Sequence, residues 1–153
     1  MKTLSEEEVN KVFQIYKKQL ITKLGTDVTT NHQLEKLGYK ILGTRFKGVY
    51  SQDEFPFSKS GYFIVNNHKS SQPGEHWVAI YQTTKTIYVF DSFGRKSKIS
   101  LPILYKNAKA YGKKVIDSDY DVDQKISTSV CGPLSLAWLL TVKYVGIKNA
   151  LKI

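Results

Sequence analysis

The chain has 153 residues, 41% of them apolar, enough to build one domain (residues 1–153) around a sizeable core and too few for two. Its 23 lysines and arginines against 13 acidic residues give a net charge of +10, which draws polyanions such as nucleic acid. One cysteine excludes an intramolecular disulfide, and the longest apolar run, Leu134 to Val142, is too short to span a bilayer, so a soluble, non-secreted protein is expected.

Ser5 and Glu8 form a capping box ahead of Val9, Val12, Phe13, Tyr16, Leu20 and Leu24, which recur at helical spacing until Gly25 and predict an amphipathic helix. Thr26 to Lys36 reads as a polar connection with at most one short turn, and His32 within it as a surface histidine. In LGYKILGTRFKGVYSQDEFP, Gly38, Gly43 and Gly48 divide the apolar pieces into turns and short extended segments, with Asp53 and Pro56 in a final turn.

Three strand signals follow, Gly61 to Asn66, His76 to Gln82 and Thr86 to Asp91, rich in aromatic and β-branched residues. Residues 67–75 form a loop, and the last two strands form a hairpin. With Thr83 and Thr84 as turn residues, His76 stands directly opposite Asp91, Cβ atoms about 5 Å apart. Thr-Thr suits the favoured two-residue turns poorly, but a register shifted by one residue keeps the two side chains neighbours. A basic loop, SFGRKSK, leads to a helix over Leu101 to Tyr111 and a short strand over Lys113 to Ile116. Asp117, Asp119, Asp121 and Asp123 lack the spacing and glycine of a calcium loop and read as a solvated acidic loop.

The run Leu134 to Val142, apolar at nearly every position, predicts a helix buried on most sides, with Pro133 in its first turn. Cys131 then lies at the positive end of the helix dipole, a setting that favours the thiolate. A lone cysteine is more often a small buried hydrophobe. His76, Asp91 and Gln124 change that balance, because acyl transfer through a thiolate needs a base, a group to orient it and donors for the oxyanion. In this reading Cys131 is the nucleophile, His76 the acid–base and Asp91 its orienting carboxylate. Gln124 and the Cys131 backbone N–H receive the oxyanion. No cofactor or metal is required. His68 is the rival base, in a loop without an obvious carboxylate partner. Trp77 reads as packing that covers the imidazole.

The set GEHWVAI, VFDSFG and Gln124 ahead of SVCG resembles the adenovirus-type maturation cysteine proteases, a group also found in virophages and Polinton transposons. The segment around Phe46, Gly48, Val49, Asp53 and Pro56 resembles the stretch before the catalytic strands of that group, and the similarity runs from about Leu42 to about Leu140. The resemblance implies an α+β cysteine protease fold, a central mostly antiparallel sheet packed against a buried helix that starts at the nucleophile. It further implies a monomer that cleaves viral precursor proteins in the virion or at the assembly site, often beside glycine. Adenovirus members commonly carry Glu where this chain has Asp91, whereas proteases of ubiquitin-like modifiers use Asp, which makes that activity the alternative. With Cys131 the sole cysteine, the disulfide-tethered activating peptide of adenovirus enzymes has no attachment point, and stimulation by DNA is the activating route left open. The cations around Arg95, Lys96 and Lys98, Lys106, Lys109, Lys113 and Lys114, and Lys143, Lys148 and Lys152 are expected to bind DNA phosphates without sequence preference. A basic DNA-associated virion protein with a vestigial site is the third reading.

Overall fold

A computed structural model of the protein describes residues 2–68, 76–118 and 129–153. Helix α1 (Glu6–Leu24) begins where its capping box directs: the Ser5 hydroxyl accepts from the Glu8 N–H (3.1 Å), and the Glu8 carboxylate accepts from the Ser5 N–H (3.0 Å). Val9, Phe13 and Leu20 form its buried stripe.

Helix α2 (Asn31–Leu42) corrects the expectation of a polar connection over Thr26 to Lys36. Thr30 and Gln33 form a second capping box, the Gln33 N–H donating to Thr30 Oγ1 (3.2 Å) and the Thr30 N–H to Gln33 Oε1 (2.8 Å). His32, on its first turn, is exposed as expected. Gly38 does not break the helix. A Cβ there would lie 2.5 Å from the Phe46 ring, so the missing side chain lets α2 press directly onto the start of the sheet. Gly38→Ala forces this buried ring to move. Overpacking of about 1–3 kcal/mol exceeds the roughly 1 kcal/mol gained in helix propensity, so a lower denaturant midpoint is expected with an unchanged m-value.

Among the described residues, β1 (Phe46–Ser51), β2 (Gly61–Asn66), β3 (Trp77–Gln82), β4 (Thr86–Phe90) and β5 (Lys114–Asp117) form one sheet in sequence order. β2–β3 and β3–β4 are antiparallel, while β1–β2 and β4–β5 are parallel. The sheet is therefore mixed, where a mostly antiparallel one was expected. Parallel neighbours need a connection that crosses back over a face of the sheet. Helices α3 (Ser97–Ser100) and α4 (Pro102–Ala110) make that return between β4 and β5. Residues 52–60, with a 3-10 turn at Gln52–Glu54, make it between β1 and β2. The basic loop expected after Asp91 thus runs into α3 at Ser97.

The strands sort their side chains by alternation. Tyr62, Ile64, Ala79 and Phe90 join the core formed with α1, α2 and α5 (Cys131–Val145). Phe63, Val65, Val78, Ile80, Ile87 and Val89 join a second core with α4, Phe55 and Phe57. Every residue of β2 is buried, as a strand covered on both faces must be. The architecture is α+β, with helices on both faces of the sheet.

All of α5 from Cys131 to Val142 is buried among α1, α2, β3 and α6 (Ile147–Ala150). Trp138 stacks on Phe90 (5.6 Å between centroids, 7° between planes) and donates its indole N–H to the Ala150 carbonyl (3.0 Å). Leu134, Leu136 and Leu139 are each fully covered. At about 1.5–3 kcal/mol per fully buried side chain, packing on all sides fixes this helix, and with it the position of Cys131.

Candidate active site

The site forms where β3 begins, β4 ends and α5 begins. The β3–β4 hairpin pairs Gln82 with Ile87 and Ala79 with Phe90, so its turn residues are Thr84 and Lys85, not Thr83 and Thr84. The Thr83 N–H donates to the Thr86 carbonyl (2.9 Å), and the Thr83 hydroxyl accepts from the Thr86 N–H (3.2 Å), closing the turn with a side chain. Relative to expectation the register moves by two residues. The ladder ends at Phe90, and Asp91 is the next residue, before a turn closed by the Gly94 N–H on the Asp91 carbonyl (2.9 Å). Side chains alternate with a period of two, so a shift of two keeps His76 and Asp91 on one face.

The structure brings His76, Asp91 and Cys131 together. His76 Nε2 lies 2.7 Å from Asp91 Oδ1, the two side chains 3% and 0% exposed. The other ring nitrogen, Nδ1, is buried with no hydrogen-bond partner among the described residues, and the charged forms of His76 and Cys131 stabilise one another. The sulfur accepts from the Trp77 backbone N–H (3.5 Å). The Ser135 hydroxyl, on the first turn of α5, donates to the Trp77 carbonyl (3.2 Å) and pins the helix start to β3.

Trp77 packs against the core, as expected, and its indole N–H donates to the Thr29 carbonyl (2.9 Å). The ring stacked on the His76 imidazole is Phe93, at 4.3 Å and 14°. Gly132 lets the segment before α2 approach the nucleophile, since a Cβ there would lie 2.9 Å from the Thr29 Cβ.

Burial opposes ionisation of all three groups, and in each the partners win. Desolvation pushes the Cys131 thiol up, but the imidazole and the Trp77 and Gly132 N–H groups hold it below its ordinary value. Desolvation likewise disfavours the imidazolium, yet Asp91 and Cys131 raise His76 above the usual histidine value. Asp91, penalised by burial, is held below the usual carboxylate range by His76, the Phe93 N–H and Arg95. The Cys131 and His76 shifts both run towards a thiolate–imidazolium pair. As first residue of α5, Cys131 also has a backbone N–H without an intrahelical acceptor, suited to receive an oxyanion.

Gln124, the expected second oxyanion donor, and Asp119, Asp121 and Asp123 lie outside the described residues. Asp117 ends β5, and its carboxylate accepts from the Ser97 N–H (3.2 and 3.3 Å). The His68 backbone N–H donates to Asn66 Oδ1 (2.9 Å). Among the described residues no group of three or more His, Cys, Asp or Glu is arranged to hold a metal ion, and no helix is long and apolar enough to cross a membrane.

Sequence reasoning missed Phe93 as the ring partner and assigned Arg95 to a phosphate-binding loop. Arg95 Nε instead donates to Asp91 Oδ2 (3.2 Å). Strand alternation gave no signal for either, because Ser92 and Phe93 form a turn closed by the Gly94 N–H on the Asp91 carbonyl (2.9 Å).

No family model and no curated protein matches the chain. Four chains of solved structures match it. One of them, a deletion variant of AvrA solved with IP6 and CoA, is 17% identical with a TM-score of 0.46, and the alignment covers 92% of this chain and 61% of that one. The present chain thus spans about three fifths of the AvrA chain.

Proposed function

We propose that this protein is a cysteine endopeptidase of the viral maturation type. The observation that carries the proposal is the meeting of Cys131, His76 and Asp91 in one buried network, with the sulfur at a helix N-terminus. The thiolate attacks the scissile carbonyl, and the Cys131 N–H and the Gln124 amide receive the oxyanion. The imidazolium protonates the leaving amine as the C–N bond breaks, leaving a thioester. Neutral His76 then takes a proton from water, which attacks the thioester, releasing the acid and restoring the ion pair. Asp91 holds the ring throughout.

The viral setting rests on the resemblance of GEHWVAI, VFDSFG and the Gln124 to Cys131 stretch to the adenovirus-type proteases. It places the protein, as a monomer, in the virion or at the assembly site, acting on precursor polypeptides. Asp91 in the place of Glu favours a second reading, removal of ubiquitin-like modifiers. Incubating the protein with capsid-precursor peptides beside a modifier fusion separates the two: cleavage of the fusion alone rejects the maturation role, and cleavage of neither, with the Cys131→Ala variant as control, rejects both.

DNA is proposed as a partner that stimulates activity. Arg95 is engaged by Asp91 and Lys143 donates to the Ile41 carbonyl (3.1 Å) on the opposite face of the sheet, so the phosphates are proposed to meet Lys98, Lys106, Lys109 and Lys114, all exposed on α3, α4 and β5. Four phosphate contacts predict a salt slope of about −3.6, or about a 150-fold loss of affinity between 50 and 200 mM salt. Fluorescence anisotropy on duplexes of two unrelated sequences measures it; a flat salt response removes DNA from the proposal.

A further inference from the structure

The chain turns directly after β4, the Gly94 N–H donating to the Asp91 carbonyl (2.9 Å), and within that turn Asp91 and Phe93 meet the imidazole while Arg95 meets Asp91 and Phe93. Oδ1 of Asp91 faces His76 Nε2 and accepts the Phe93 N–H (2.8 Å), while Oδ2 accepts Arg95 Nε (3.2 Å), so both oxygens are engaged. The Phe93 ring lies parallel to the imidazole at 4.3 Å, and the Arg95 guanidinium sits 5.1 Å from the Phe93 centroid. Arg95 is held there although its Nη2 is buried with no partner among the described residues, a desolvation cost that an arginine pointing into solvent avoids.

We propose, on the basis of the cysteine peptidase reading, that Arg95 and Phe93 are positioning residues that hold the His76 ring in its single working orientation. A carboxylate gripped at one oxygen rotates within a broad, roughly two-fold torsional well, and an imidazole with open faces flips about its own terminal torsion. Either motion takes Nε2 away from Asp91 and the opposite nitrogen away from the sulfur. Arg95 blocks the first motion by occupying Oδ2, and Phe93 hinders the second by closing one face of the ring. Lysine does not replace this arginine, because a flexible ammonium does not lie flat on Phe93 while offering a fixed N–H to Oδ2.

The test uses Arg95→Ala, Arg95→Lys and Phe93→Leu in the full-length protein. Turnover should fall about tenfold in kcat with KM within twofold, since positioning acts on reactive geometry and not on substrate affinity, and lysine should restore little. A second readout needs no substrate: the downfield proton of the His76 ring N–H bonded to Asp91, assigned by its loss in His76→Gln, should be sharp in the wild type and broadened in Arg95→Ala and Phe93→Leu. Unchanged kcat and an unchanged proton signal in both of those variants overturn the inference. A lower melting midpoint with kcat and the proton signal unchanged at low temperature likewise overturns it, leaving a role in stability alone. If Arg95→Ala does not fold, Phe93→Leu decides. Absence of any Cys131-dependent turnover in the wild type defeats the peptidase reading, and the proton signal still judges the positioning role.

Discussion

Cys131→Ala is expected to lose all peptide-bond turnover and all labelling by a thiol-directed acylating probe at neutral pH, while its melting curve stays close to that of the wild type. The side chain removed is small, and the packing that fixes α5 lies further along, at Leu134, Leu136, Trp138 and Leu139. Asp91→Asn should retain the fold yet drop kcat by about 10³–10⁴-fold, because an amide neither fixes the ring with a charged acceptor nor stabilises the imidazolium. His76→Ala should match Cys131→Ala, since a buried thiol without its imidazole keeps its desolvation penalty and loses the partner that offsets it. Full labelling of Cys131 in His76→Ala at neutral pH would show that the sulfur is activated without the imidazole and would sink the assignment of His76.

The second expected result is a split between two pH profiles. Alkylation of Cys131 follows the thiolate. It should rise at a pH below that of an ordinary thiol, because His76 and the Trp77 and Gly132 N–H groups lower the Cys131 value. It should then stay high as pH increases further. Peptide hydrolysis also needs the imidazolium proton for the leaving amine, so it should rise with the thiolate and fall again as pH passes the raised His76 value. The signs for stability follow from the same directions. Asp91, depressed in the folded state, contributes stability that is present above the unfolded carboxylate value and lost as pH falls through its folded value. His76, raised in the folded state, contributes stability that is complete below the unfolded histidine value and lost as pH rises through its folded one. Denaturant midpoints of the wild type and Asp91→Asn should therefore converge in acid. Midpoints that stay parallel down to acid pH would mean that Asp91 is not held by charge in the folded protein.

What was legible in the sequence was whatever depends on neighbours close in the chain. The Ser5–Glu8 box, the edges of β2 and the unbroken apolar run of α5 each follow from local capping, strand propensity or hydrophobic continuity. Even the His76–Asp91 pairing withstood a register two residues off, because parity and not exact alignment decides the face. Helix α2 was missed on two counts: its local Thr30–Gln33 capping box was passed over, and Gly38 looks like a breaker until the Phe46 ring that fills its missing side chain is in view.

The sequence by itself determined which side chains were available for chemistry, since one sulfur, one histidine leading into a strand and one carboxylate closing the next leave few ways to build a nucleophile and its base. Only the tertiary structure decided what surrounds them: Phe93 stacked on the imidazole, Arg95 on Asp91 instead of on the surface, and a mixed sheet instead of a mostly antiparallel one. The physical reason is range. Caps and alternation act over a few residues, whereas ring stacks, buried ion pairs and strand direction depend on how distant segments are brought back against one another, which no local pattern encodes.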